Sequence, residues 1–301
     1  MQMHILGKFL IPSAVILLLS CSESKDIRYL DKGRESLSGA TVAPAPVAAE
    51  QQAVKARLTS PSTDPRLKAK NFGWIGLSVQ GKPIRTFFWG HGQTCVYILG
   101  AIHGNESSTM QLVERIWKLL QQNKYQKFEK AITFIVVPCL NPDGVELHRR
   151  TNANGVDLNR NFPTSDFSGI RECYNLYCGR GQGLQPETMG LLELGTVYPP
   201  ALVYSIHQPL NLINFDGPAQ TVALEISRLN GMRIKDDIGY NTPGSLGTYF
   251  GKMRNVPVIT LELPHTGQDT AWEDLLNCNA NAIITSALTW QARRRKHLSP
   301  K

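Results

Sequence analysis

Charge is scarce in this chain, with only 19% of its 301 residues Asp, Glu, Lys or Arg. No fixed-period repeat or heptad pattern runs through it, which excludes solenoids and coiled coils. Long apolar runs are rarer still. One stretch near the N-terminus is apolar enough to enter a bilayer, so a multi-span membrane architecture is excluded. Cysteine is limited to six residues, none with the paired close spacing of a structural zinc site. A broad basic footprint is also missing. The net charge of +8 splits into +4 over residues 1–70 and +5 over 293–301, leaving −1 for 71–292. A body so close to neutral does not suit nucleic acid. A hydrophobic content of 42%, on the other hand, excludes disorder throughout and supports one large domain with appendages.

Those appendages are readable. Lys8 precedes a twelve-residue apolar run, 9–20, which has the length of a signal-peptide core and falls short of a bilayer span. The run closes on Leu18-Leu19-Ser20-Cys21, which resembles a bacterial lipobox; residues 1–21 are then a lipoprotein signal with Cys21 as the lipid-bearing first mature residue. Ser22, rather than Asp, implies sorting to the outer membrane by the same resemblance. An uncleaved anchor with a coincidental Cys is the alternative, and both place the body outside the cytoplasm. Residues 22–70, rich in Ser, Ala, Pro and Gln, have no apolar stripe to bury and read as a flexible tether. Extended, it reaches on the order of 150 Å. The basic run Arg293-Arg294-Arg295-Lys296 reads as a frayed, solvated tail over 293–301, with contact to anionic lipid or wall polymer as the second reading.

Cys21 aside, five cysteines remain, an odd count that leaves at least one thiol unpaired in an oxidising compartment. Cys173 and Cys178, close together in a polar loop, are the candidate disulfide, whereas Cys95 and Cys139 sit in apolar runs as small buried hydrophobes.

Across 71–292, short apolar runs alternate with helical patterns, the mark of an α/β domain. Strands are expected at 84–89, 94–101, 132–139, 201–206 and 256–263, and helices at 108–122, 186–197, 218–231 and 271–291. The polar stretch 141–185 is too long for an ordinary connection and is expected to carry function.

Chemistry-bearing residues cluster at strand ends. His103 and Glu106, three apart on a strand-to-helix turn, could converge on one metal ion, and His207 closes another apolar strand where open α/β sheets place their ligand sites. Two His and one Glu, with a fourth position left to water, form the ligand set of a catalytic zinc. Glu262 is the one acid at the end of an apolar strand. Beside a metal it can take a proton from water and return it to a leaving nitrogen. The loop from Asn141 to Pro163 carries Arg149, Arg150 and Arg160 among many Asn, a composition suited to binding anions through planar guanidinium forks.

Taken in order, His103-x-x-Glu106, Asn141-Pro-Asp-Gly, Gly155-Val-Asp-Leu-Asn159-Arg160-Asn161-Phe162, Ser205-Ile-His207 and Leu261-Glu262 resemble the zinc carboxypeptidases of the carboxypeptidase A type. The segments around 151–163, 185–188 and 239–245 are most similar to the murein tripeptide amidases, which cut the γ-D-glutamyl to meso-diaminopimelate bond of peptidoglycan peptides. The resemblance implies an α/β/α sandwich with a mixed, twisted central sheet. It implies one zinc ion on His103, Glu106 and His207, with Glu262 as general base and then general acid. It further implies Arg150 as oxyanion donor, with Arg149 as its rival, and Asn159 and Arg160 on the free carboxylate of a peptidoglycan-derived peptide. A substrate-capping tyrosine also belongs to the pattern. Tyr249 is taken for that role, with Tyr240 as the other possibility. Recycling amidases work in the cytoplasm, whereas the export signal here implies work on wall peptides outside it. An ordinary L-peptide carboxypeptidase, an amino-acid deacylase of the same fold and a non-catalytic wall-binding lipoprotein remain as alternatives.

Overall fold

The computed structural model describes residues 72–167, 177–265 and 270–298. The expected signal peptide, lipobox and tether lie outside these residues, as does Cys173.

Seven strands form one sheet: β1 (Phe72–Leu77), β2 (Pro83–Trp89), β3 (Thr94–Leu99), β4 (Ile132–Val137), β5 (Pro200–His207), β6 (Leu212–Asp216) and β7 (Val258–Glu262), in the order β1-β2-β4-β3-β5-β7-β6. The central strands β4, β3, β5 and β7 run parallel, while β1, β2 and β6 join antiparallel at the margins. The sheet is mixed, as expected.

Burial explains the order. All six residues of β4 are buried, and parallel strands covered on both faces carry such unbroken apolar runs. Alternate residues feed two separate cores. Val96, Ile98, Tyr204, Ile206, Ile259 and Leu261 pack under the helices α1 (Thr109–Leu120), α4 (Gln220–Asn230) and α5 (Thr270–Leu298). Tyr97, Leu99, Val203 and Val258 face α3 (Pro186–Val197) through Leu191 and Leu194. The result is a three-layer α/β/α sandwich. Each buried Val, Leu, Ile or Phe contributes roughly 1.5–3 kcal/mol, so the central strands form a stiff frame and their ends can carry precise geometry.

Helix spacing is legible where one face is apolar: Leu112, Val113, Ile116 and Leu120 make the buried stripe of α1. Gly231, in the left-handed conformation at φ 73°, ends α4 where the sequence places the stop. The C-terminal segment differs from expectation. Through Leu298 the basic run continues α5 rather than fraying, its cations complementing the carbonyl end of the helix dipole. Strands β1 and β6 escape sequence reading, since β1 holds two glycines and β6 spans five residues with Asn214 in the middle.

Cys178 is disulfide-bonded, with its partner outside the described residues. Cys95, Cys139 and Cys278 are free thiols. Burial pushes the Cys95 thiol up to about 11 and that of Cys139 to about 12, which keeps both protonated. Cys139 lies just beyond β4 instead of within it.

Candidate active site at the carboxyl ends of β3, β5 and β7

Three strands deliver the metal-ligand candidates. Beyond β3 the chain passes Ala101 at φ 44°, an unusual conformation for a residue with a side chain, and turns into a 3-10 turn at Gly104–Glu106. There a Cβ on Gly104 would stand 1.9 Å from the Gly144 carbonyl carbon, so only glycine lets the two loops touch. This contact joins the His103 turn to α2 (Pro142–Glu146), whose N-cap Asn141 accepts from the Gly144 N–H at 2.9 Å. Asn141 Nδ2 also donates to the Ile102 carbonyl, and the Gly104 N–H donates to the Arg150 carbonyl.

His207 closes β5 and Glu262 closes β7, paired in register across the two neighbouring strands. The ligand atoms of His103, Glu106 and His207 all lie within 4.8 Å of one another, and all three side chains are buried. Glu106 holds the two imidazoles together: Oε1 is 2.8 Å from His103 Nδ1 and Oε2 is 3.0 Å from His207 Nδ1. Each ring is anchored by its other nitrogen. His103 Nε2 lies 3.2 Å from Asp157 Oδ1 and His207 Nε2 lies 3.0 Å from Ser205 Oγ. Such partners aim both Nδ1 atoms at the shared point, as metal-binding imidazoles require. Two nitrogens and one carboxylate, convergent and buried, suit zinc.

The electrostatics follow from this crowding. Burial alone would raise the Glu106 carboxyl, but the two imidazoles outweigh it and hold Glu106 well below the usual carboxylate range. Asp157 behaves alike, its burial outweighed by His103, Arg150 and Arg160. For His103, burial favours the neutral ring, yet Asp157 and Glu106 together raise it. Glu262 goes the other way: burial pushes its carboxyl up, and Glu106 adds to the rise. A raised carboxyl among depressed ones is the group suited to carry a proton.

Arg150 donates from Nε to Asp157 Oδ2 at 2.8 Å and reaches within 3.5 Å of Glu106 Oε1. Arg149 is exposed to solvent. Of the two rivals, then, Arg150 is the one at the cluster. Asn159 and Arg160 occupy a 3-10 turn, Leu158–Arg160, that Asp157 caps by accepting from the Asn159 N–H at 2.9 Å. Arg160 is 2% exposed and donates from Nη1 to the Asn159 carbonyl, while its Nε is buried without a partner among the described residues. A buried guanidinium with a spare donor is costly unless an anion completes it.

The two candidate tyrosines lie in different surroundings. Tyr249 lies on a π-helical turn, Gly247–Lys252, that packs inward. It is 8% exposed, its ring tilted against Phe162, edge-on to Phe250 and covered by the Arg254 guanidinium at 3.4 Å. Tyr240 instead is exposed, near enough to Arg150 and Arg160 for an ionised phenol to raise both guanidinium values. Asp157 and Ser205 are the residues that sequence reasoning left without a role. Their signal was position, the first two residues before Asn159 and the second two before His207.

A zinc carboxypeptidase family model matches residues 71–221. Glu262 lies beyond that match, so its place rests on the strand register. Murein peptide amidase A of Escherichia coli strain K12 is 32% identical over 197 residues, covering 62% of this chain and 78% of that protein. Among solved structures, the murein-tripeptide amidase MpaA from Escherichia coli O157 superimposes with a TM-score of 0.60 at 29% identity, covering 70% of this chain and 90% of that one. Carboxypeptidase A from Helicoverpa armigera shares the fold, with a TM-score of 0.63 at 18% identity over 73% of this chain and 68% of that one. With the match spanning half its length, and identity extending across most of a curated amidase, the chain belongs to the zinc carboxypeptidase family of hydrolases.

Proposed function

We propose that this protein is an exported zinc amidase that releases meso-diaminopimelate from the γ-D-glutamyl bond of peptidoglycan stem peptides. The convergence of His103, Glu106 and His207 beside Glu262 carries the catalytic part of this reading. His103, Glu106 and His207 would hold one zinc ion, which as a Lewis acid polarises a carbonyl and acidifies water. Glu262 takes the proton of the attacking water and passes it to the departing amide nitrogen, a task its raised carboxyl suits. Arg150, held in place by Asp157, donates to the carbonyl oxygen as negative charge builds on it. Asn159 and Arg160 hold the substrate's terminal carboxylate, the guanidinium through its planar fork. Tyr240, in place of Tyr249, closes over the bound peptide.

The substrate assignment draws support from the amidase relatives and from a cavity of about 740 Å³ lined by Tyr240, Asp166, Asp216, Asp236, Asp237 and Lys252. Asp166 also interacts with Arg160, which ties the cavity to the carboxylate clamp. Diaminopimelate ends its side chain in an ammonium and a carboxylate, and a mainly acidic cavity with one lysine matches that pair of charges. The signal-like N-terminus and its Cys21 support action outside the cytoplasm as a lipid-anchored protein. The test is release of diaminopimelate from L-Ala-γ-D-Glu-meso-diaminopimelate. Release at a rate far above that of an L-peptide bears the reading out. Turnover of the L-peptide alone would assign an ordinary carboxypeptidase instead.

A further inference from the structure

One side chain that takes no part in the proposed chemistry ties the three strand ends of the site together. Gln208 follows His207 directly, at the end of β5. Its Oε1 accepts a hydrogen bond from the Ser108 hydroxyl, and its Nε2 donates to the Pro264 carbonyl at 2.9 Å. Ser108 lies just past Glu106 on the turn beyond β3, and Pro264 just past Glu262 beyond β7. A single half-buried amide therefore reaches from the metal-ligand turn to the segment that delivers the base.

Strand pairing alone does not hold these groups in place. The β3–β5 ladder stops at Leu99 and Ser205, well before Glu106, so the position of that carboxylate relative to β5 and β7 depends on contacts outside the sheet. The backbone beside Gln208 supplies two of them. The Gln208 N–H donates to Glu106 Oε2 at 3.3 Å, and the Leu210 N–H donates to Glu262 Oε2 at 3.5 Å. The same short loop thus holds a ligand carboxylate at its start and the base carboxylate two residues on. Ser108 gives an independent sign that the contact is specific. It is the N-cap of α1, where a serine oxygen ordinarily accepts from an N–H of the first turn, yet among the described residues it makes no such bond. Its hydroxyl turns to Gln208 instead.

We propose that Gln208 is a positioning residue that fixes the gap between the metal ion and the Glu262 base. This rests on the reading of His103, Glu106 and His207 as zinc ligands with Glu262 as the base. Glu262 must reach the attacking water and then the departing nitrogen, and a displacement of about 1 Å can cost on the order of 100-fold in rate. Gln208 keeps both carboxylates on one rigid brace: its side chain joins the flanking segments at Ser108 and Pro264, while its own loop holds the carboxylates by their oxygens.

The test compares wild type, Gln208→Met and Ser108→Ala in the full chain. Methionine keeps the length of the side chain and removes both of its hydrogen bonds. Gln208→Met is expected to lower kcat on the γ-D-glutamyl-diaminopimelate amide by about 10- to 100-fold, with KM and zinc affinity, read by chelator competition, within about twofold of wild type. On an ester analogue with oxygen in place of the scissile nitrogen the loss should be about tenfold smaller, because an amide nitrogen departs only with a proton and an ester oxygen departs far more readily without one. Ser108→Ala should show the same pattern at a smaller size, which keeps the test open if Gln208→Met fails to fold. In the metal-free chain the brace is read without activity. The double variant should melt no lower than Gln208→Met alone, since both changes break the same Ser108–Gln208 bond. Unchanged kcat in Gln208→Met, equal losses on amide and ester, a fall in zinc affinity that matches the fall in kcat, or additive melting shifts would overturn the proposal. A wild type that hydrolyses neither substrate would end the zinc-and-base reading itself, and this inference with it.

Discussion

Arg150 and His103 are joined through a single carboxylate: Asp157 accepts from Arg150 Nε at 2.8 Å on Oδ2 and lies 3.2 Å from His103 Nε2 on Oδ1. One buried side chain thus orients both a metal-ligand candidate and the candidate oxyanion donor. Asp157→Asn keeps the shape but withdraws the charge, and is expected to lower zinc affinity or kcat by about 10- to 100-fold. Zinc competition with a chromogenic chelator, run beside the hydrolysis assay, measures both. Unchanged values would remove Asp157 from the account.

Arg150 and Arg149 are neighbours in sequence with different surroundings. Loss of an oxyanion donor commonly costs about 100- to 1000-fold in kcat. Arg150→Gln is expected to fall in that range with a smaller effect on KM, while exposed Arg149→Gln stays near wild type. A larger loss from Arg149→Gln would reverse the assignment.

The two tyrosines separate by which property they move. Tyr240→Phe, deleting a hydroxyl near Arg150 and Arg160, is expected to raise KM by about tenfold without changing the melting temperature. Tyr249→Phe should leave kinetics alone, whereas Tyr249→Ala empties an aromatic cluster and should cost about 3–5 kcal/mol of stability. Kinetics and thermal melts of the three variants check this.

Two buried carboxylates, Asp143 on α2 and Glu187 on α3, respond to pH with opposite sign. Burial would raise Asp143, but Lys82 Nζ at 2.9 Å, the Gln80 N–H and the Ser78 hydroxyl outweigh it and hold the carboxyl below its usual value. Its stabilising contribution is complete above the unfolded value of about 3.9 and is lost as pH falls through the folded one. Glu187 is raised, chiefly by burial, although it accepts from Asn152 Nδ2 and the Val79 N–H. Its contribution is complete below the unfolded value of about 4.3 and is lost as pH rises through the folded one. At neutral pH, Asp143→Asn should therefore destabilise by on the order of 1–3 kcal/mol, while Glu187→Gln, which keeps an acceptor and removes a buried charge, should be neutral or stabilising. Denaturant melts at pH 7 and pH 4 read out both signs.

The frame of this fold was legible where physics is local. The all-apolar β4, the stripe of α1 and the Gly231 stop of α4 each declare themselves in a few residues. So did His207 and Glu262, because an ionisable group closing an apolar strand needs a reason. What depended on distant partners was hidden. Strand β6 exists because β7 offers an edge to pair with, and α5 runs on through its arginines because its own dipole favours them. Tyr249 and Tyr240 are nine positions apart and alike in type. Only the inward turn at Gly247–Lys252 decides which of them is core and which faces the arginines.

The central claim is that His103, Glu106 and His207 hold a metal ion for which Glu262 acts as the base. Zinc content and tripeptide hydrolysis, measured together on wild type, His207→Ala and Glu262→Gln, test it most directly. About one zinc per chain is expected in wild type and in Glu262→Gln, with the latter slowed by about 100- to 10,000-fold, and little zinc and no turnover in His207→Ala. Full activity in Glu262→Gln, or zinc retained with turnover in His207→Ala, would contradict the account.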